Sequence, residues 1–148
     1  MTLGEACQGI SKLGIDTSPF IYFVEDSFPY SDICSEAFHE IEAGKIIGVT
    51  STLTLTEVLA HPLRNEQAEL ADAYRMLLQA TDGIQLVVID ARIADFAGEL
   101  RARYNLKTPD ALQIATTVIS GCEAFLTNDK GLKRVSELRI LVLDDFML

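Results

Sequence analysis

Residues 13–19 read LGIDTSP: a short apolar run, an acid, and then the opening of a helix. Residues 13–16 predict a first strand. Thr17 and Ser18 offer hydroxyl caps, and Pro19 falls in the first helical turn, where its missing N–H leaves no bond unmade. A similar pattern returns at residues 124–129, AFLTND, where a four-residue strand stops just short of Asp129. Strands that alternate with helices predict βαβ crossovers and a parallel sheet. In an open parallel sheet, groups that follow the strand C-termini line the crevice where ligands bind. Asp16 and Asp129 are thus the first two candidate site residues.

The remaining chain supports the same architecture. FPYS at 28–31 breaks the first helix, and a second is expected to run to about residue 43, with Ile33, Ala37 and Ile41 on one face. Gly44 and Lys45 are a stop, and 46–50 predicts a second strand. A short helix over 52–60 is expected to end at Pro62. Residues 65–80 predict a helix with Leu70, Ala73, Leu77 and Leu78 inward. The run IQLVVI at 84–89 predicts a strand covered on both faces. Asp90 is a cap for a helix over 91–104. Thr108 and Pro109 open another helix, whose apolar face carries Ala111, Leu112, Ala115, Val118 and Ile119 and which Gly121 ends. Strands at 124–127 and 139–143 complete the set. The expected fold is a three-layer α/β/α domain, a parallel sheet of about five strands with helices on both faces. The chain of 148 residues shows no linker or repeat. That predicts an N-terminal extension over 1–12 and a single domain over 13–148.

Composition narrows the function classes. Hydrophobic residues at 49% and charged residues at 23% are ordinary for a globular protein, and no apolar run is long enough to cross a bilayer. The start MTLGEACQGISKLG lacks a signal peptide's pattern, so a cytoplasmic location is expected, with no membrane partner. Cys7, Cys34 and Cys122 form no CxxC pair, and with only two histidines a zinc site has little support. Net charge is −10, yet residues 1–57 hold nine acids against Lys12 and Lys45, while basic residues gather later. Global charge therefore does not decide for or against a nucleic-acid ligand.

Two further acids stand out. Glu57 sits among apolar and hydroxyl residues in TLTLTEVLAHP (52–62), and Asp110 lies in the first turn of KTPDALQIATTVI (107–119). Each acid alone has a structural explanation as a cap, a turn residue or a helix-dipole partner. Four acids gathered at one sheet edge would repel one another unless a cation sat among them, and hard oxygen ligands suit Mg²⁺ or Mn²⁺. No GxSxG or reactive-cysteine motif offers a rival nucleophile.

The blocks IDTSPFIYFVE, TLTLTEVLAHP, TPDALQIATTVISG and FLTNDKGL, in this order and spacing, resemble PIN-domain nucleases, and most closely the VapC-type ribonuclease toxins. The resemblance runs from about residue 13 to 146. It implies a metal-dependent endoribonuclease hydrolysing RNA phosphodiester bonds, the toxin of a VapBC-type toxin–antitoxin pair. It further implies that Asp16, Glu57, Asp110 and Asp129 bind one or two Mg²⁺ or Mn²⁺ ions, with Thr17, Thr54, Thr127 and Asn128 beside them. A homodimer and a small cognate antitoxin are the implied protein partners. Lys130, Lys133 and Arg134 are candidate RNA phosphate contacts, and Arg101, Arg103 and Lys107 form a second candidate strip. The dozen residues before the first strand depart from the family's pattern, as a flexible extension or an added helix. Two other classes compete: a catalytically inactive PIN-like module that binds RNA or protein, and a phosphorylated receiver-type domain. The second leaves Glu57 and Asp110 without a role.

Overall fold

Four helices start where a neighbouring side chain accepts a free backbone N–H. Thr2 caps α1 (Leu3–Ala6), Asp16 caps α2 (Thr17–Val24), Ser51 caps α4 (Thr52–Arg64) and Asp90 caps α6 (Ala91–Tyr104). The helices α3 (Ser31–Glu42), α5 (Ala68–Ala80) and α7 (Thr108–Ile119) start without a side-chain cap bond. These elements belong to a computed structural model that describes residues 1–147. Leu148, the last residue of the expected domain, lies outside the described residues.

The strands β1 (Lys12–Ile15), β2 (Ile47–Ser51), β3 (Ile84–Val87), β4 (Ala124–Thr127) and β5 (Arg139–Val142) form one sheet in the order β3-β2-β1-β4-β5. Every pairing is parallel. From β1 the chain winds outward through β2 and β3, then returns to the other side of β1 for β4 and β5. The winding direction reverses between β1 and β4, and such a reversal leaves a crevice at the strand C-termini.

Strand residues alternate between two apolar layers, as a pleated strand requires. Leu13, Ile15, Ala124, Leu126 and Leu141 face the larger layer, which also contains residues of α1 to α5. Phe125, Val87 and Ile140 face the smaller one, formed with α6 and α7. Helices therefore cover both faces, and the expected three-layer α/β/α architecture is what forms. Leu3, Ala6, Cys7 and Ile10 are buried in the larger layer, so the first residues include an added helix packed on α3. The three cysteines are free and buried. No helix among the described residues is long and apolar enough to cross a membrane.

Local expectations fail at five places. Helix α2 is capped by Asp16, with Thr17 already its first residue. Helix α4 runs through Pro62 to Arg64. Proline loses its own N–H bond and its ring crowds the carbonyl four residues back. Only two residues of the helix follow and the proline is buried, so the loss is tolerated. Helix α5 begins at Ala68 and buries Ala71, Tyr74 and Leu78, leaving Ala73 exposed. The large Tyr74 ring sets that phase, and its hydroxyl donates to Glu25 on the segment after α2. Strand β3 is an edge strand, covered only in part, with Val88 beyond it 70% exposed. Helix α7 buries more than an apolar stripe: Gln113, Thr116 and Thr117 are buried beside Ala111, Ile114 and Ala115.

Helix α7 approaches β1 closely because Gly14 has no side chain. A Cβ on Gly14 would lie 2.4 Å from both Oγ1 and Cγ2 of Thr117. The helix packs across β1, β2 and β4, so this approach fixes where the start of α7 sits over the crevice. Gly14→Ala is expected to lower unfolding free energy by roughly 1–3 kcal/mol through overpacking. Thr117→Ala removes two of the three crowding atoms and should recover part of that loss in the double variant. Urea denaturation of the four proteins measures both effects, and strictly additive losses would contradict the contact.

Candidate active site

Asp16 stands immediately after β1 and Asp129 two residues after β4, the two strands that flank the winding reversal. Glu57 projects from the second turn of α4, and Asp110 from the first turn of α7. All four acids thus follow strand C-termini or sit on the helices that rise over them. Burial raises the pKa of Asp16, with Asp110 and Glu57 adding to it, and burial raises that of Asp110, with Asp129 and Glu57 adding to it. The sequence-predicted acids are brought to one end of the sheet.

Neighbouring hydroxyls and backbone groups hold several of them. The Asp16 carboxylate accepts from the Thr17 N–H at 2.8 Å and from the Thr127 hydroxyl at 2.8 Å. Thr127 Oγ1 in turn accepts from the Asp129 N–H at 3.1 Å, so one buried hydroxyl bridges the strand ends carrying both aspartates. Asp129 Oδ1 accepts from the Gly131 N–H at 2.9 Å, which starts a 3-10 turn at Lys130–Arg134. Glu57 Oε1 accepts from the Thr17 hydroxyl at 2.6 Å. Thr54 lies behind Thr17, with their oxygens 3.2 Å apart. Asn128 donates to the Tyr22 hydroxyl at 3.3 Å, and its buried Oδ1 has no partner among the described residues.

The electrostatics are one-sided. Burial pushes the Asp16 carboxyl from an ordinary 3.8 up to about 6, against the lowering effect of its hydrogen bonds, with Asp110 and Glu57 adding repulsion. Asp110 is raised by burial and then by Asp129, with Lys107 pulling it back. Among the described residues none of the four acids forms an ion pair. All their donor atoms are hard oxygens, the set that suits Mg²⁺ or Mn²⁺. Among the described residues no three acids, histidines or cysteines are gathered closely enough to form a ready ion cage. The charge and donor chemistry fit a divalent ion, while enclosing one requires the side chains to draw inward.

The basic candidates divide. Lys130 is exposed and makes no ion pair among the described residues, whereas Lys133 pairs with Asp145 at 2.5 Å. The Arg134 guanidinium donates to the Tyr104 carbonyl at 3.1 Å and to the Gly131 carbonyl. Arg103 is engaged with Glu137, and Arg101 donates to the Leu106 carbonyl at 3.1 Å. Of that second strip, Lys107 lies close enough to pull the pKa of Asp110 down.

Gln113 went unnoticed in the sequence, yet it links three elements behind the acids. It is 3% exposed on α7, accepts from the Ser51 hydroxyl at 2.7 Å and donates to Thr54 Oγ1 at 2.6 Å. Its signal was present: Asp110, Gln113 and Thr117 recur at i, i+3 and i+7, one polar stripe on an otherwise apolar helix.

The raised Asp16 carboxyl has a pH consequence. In the unfolded chain it titrates near 4, so between about pH 4 and pH 6 the folded protein holds more protons there. Stability from this group therefore falls as pH rises through that window and levels off above it. Asp16→Asn keeps a cap oxygen without burying a charge. In chelator it should be the more stable protein at pH 7, by at most about 3 kcal/mol before solvent screening. Urea midpoints of both proteins from pH 4 to 8 give the difference curve, and a flat difference would contradict the burial of this charge.

Comparison with known proteins places the chain. The PIN domain family model matches residues 14–138. No curated protein matches it significantly. Among solved structures, a toxin–antitoxin complex from Klebsiella pneumoniae superposes with TM-score 0.67 at 22% identity, over 90% of this chain and 98% of that one. VapBC2 from Rickettsia felis, bound to a DNA fragment from its promoter, gives 0.69 at 15% identity over 88% and 98%. DNA-bound VapBC from Salmonella typhimurium gives 0.62 at 16% identity over 90% and 98%. At these identities the likeness is one of fold. The family match spans most of the chain and includes all four acids, and the chain belongs to the PIN domain family.

Proposed function

We propose that this protein is a Mg²⁺- or Mn²⁺-dependent endoribonuclease, the toxin of a toxin–antitoxin pair. The observation that carries the reading is the gathering of four acids at the winding reversal, where among the described residues none has a basic partner. Carboxylates left unpaired in a partly buried crevice disfavour one another, and this cost is retained most readily where a cation offsets it. Membership of the PIN domain family and the fold likeness to toxin–antitoxin complexes support the same assignment.

In this reading Asp16, Glu57, Asp110 and Asp129 hold the ion. When bound, a divalent ion supplies positive charge against the phosphodiester's developing negative charge and lowers the pKa of attacking water. The chain's own groups prepare the site. The Thr127 hydroxyl donates to Asp16 and receives the Asp129 N–H, which keeps those two acids in register across β1 and β4. The Thr17 hydroxyl fixes one oxygen of Glu57, and the other has no hydrogen bond among the described residues. Asn128, wedged between β4 and Tyr22, braces the segment that carries Asp129. Lys130 and Lys107 flank the acids and are the RNA phosphate contacts, steering the polyanion to an otherwise acidic chain. Lys133 joins them only by giving up its pair with Asp145, and Arg134 contributes charge while its guanidinium stays on backbone carbonyls.

The protein partners belong to the same proposal: a second copy in a homodimer, and a small antitoxin that silences the crevice, with the complex acting in the cytoplasm. An arginine from such a partner would satisfy the unpaired carboxylates by charge-assisted hydrogen bonds. The competing reading is an inactive binding module of the same fold, favoured by the open spacing of the acids.

RNA cleavage in Mg²⁺ separates the two. Asp16→Asn and Asp129→Asn should each slow cleavage by at least about 100-fold, the loss expected when several kcal/mol of charge stabilisation is removed. Both should keep the wild-type circular dichroism spectrum. Absence of any metal-dependent cleavage by wild type, or full cleavage by both variants, would reject the proposal.

A further inference from the structure

Glu57 is exposed on α4, and among the described residues its only side-chain hydrogen bond is the one from Thr17 at 2.6 Å. A free glutamate side chain on a helix surface samples several rotamers, and ordering it costs conformational entropy. Whatever fixes the Thr17 hydroxyl therefore fixes Glu57. An ionised carboxylate only accepts, so Thr17 must be the donor in that contact. Its oxygen is then left to accept, with Gln113 Nε2 3.3 Å away and the Thr54 hydroxyl, itself held by that amide, 3.2 Å away.

The orientation of Gln113 follows from the same chain of donors. With Oε1 receiving the Ser51 hydroxyl at 2.7 Å, Nε2 faces Thr54 Oγ1 at 2.6 Å and Thr17 Oγ1. The reversed amide would place an acceptor against both threonines and draw the Thr17 proton inward, away from Glu57. Thr54 is held from its other side by Thr50, with the two oxygens 2.8 Å apart. The buried amide thus gives the network one direction: Gln113 N–H to the Thr17 oxygen, and Thr17 O–H to Glu57.

The geometry points to Gln113 as the positioning residue for Glu57, acting through the Thr17 hydroxyl to hold that carboxylate ready for a divalent ion. This rests on the metal-site reading of the four acids. It assigns to a buried glutamine on α7 the task of orienting a ligand on α4. The amide itself touches neither ion nor RNA. Partners behind a metal ligand commonly contribute about 10- to 100-fold in affinity.

The test compares Gln113→Met, Thr17→Val, their combination and the conservative Thr17→Ser with wild type. Two measurements are made without RNA: Mn²⁺ affinity by electron paramagnetic resonance, and Glu57 χ1 averaging by three-bond couplings in isotope-labelled, metal-free protein. Wild type and Thr17→Ser should show one dominant Glu57 rotamer. Gln113→Met and Thr17→Val should each show averaging and bind Mn²⁺ about 10-fold more weakly, with the double variant no worse than either. Unchanged couplings in folded Gln113→Met overturn the proposal, as do additive losses of affinity. Should Gln113→Met fail to fold, Thr17→Val decides, and unchanged couplings there overturn the proposal equally. A wild type that binds no Mn²⁺ defeats the metal-site reading, while the couplings still judge the positioning claim.

Discussion

The reversal of winding between β1 and β4 is the constraint from which the rest of the molecule takes its arrangement. Two parallel strands whose helices leave in opposite directions cannot have their C-terminal ends covered by either helix. Asp16 and Asp129 follow those ends, and the Thr127 hydroxyl ties one to the other. Helix α7 comes close enough to contribute Asp110 because Gly14 leaves no Cβ in its path. The site is less a feature added to the fold than the place where the sheet cannot cover itself.

This arrangement sets stability against chemistry. A buried threonine hydroxyl and a backbone N–H satisfy Asp16, but they do not cancel its desolvation, and the carboxyl stays well above its ordinary range. Below, the network of Thr50, Ser51, Thr54 and Gln113 is buried and joins β2, α4 and α7. Networks of this kind rigidify when every member is satisfied. The upper surface, in contrast, is incomplete, because the acids repel one another and Lys107 and Arg134 only partly offset Asp110. A rigid polar floor beneath an underneutralised rim is consistent with the proposed cation site.

Much of this was legible in the sequence where local signals and tertiary demands coincide. Asp90 ahead of α6, Gly121 after α7 and the apolar spacing Ile33, Ala37, Ile41 in α3 each marked an element that forms as read. The four acids were legible because strand ends and helix starts are short-range patterns. Failures came where long-range packing decides. The run at 84–89 looks central by hydrophobicity, but strand order is set by crossovers, which leave β3 at an edge. Pro62 carries a stop signal that burial overrides, and Tyr74 turns α5 by claiming the interior. Gln113 was hidden for a related reason: a single glutamine among apolar residues is unremarkable until Ser51, Thr54 and Thr17 are seen to converge on it.

The central claim is that chain-distant carboxylates share one divalent ion. Crystals grown in Mn²⁺ and measured at the manganese absorption edge address it without reference to RNA or activity. The account predicts an anomalous peak among Asp16, Asp110 and Asp129, with Glu57 drawn toward it. Saturating Mn²⁺ that yields a peak elsewhere, or none in that crevice, would contradict it.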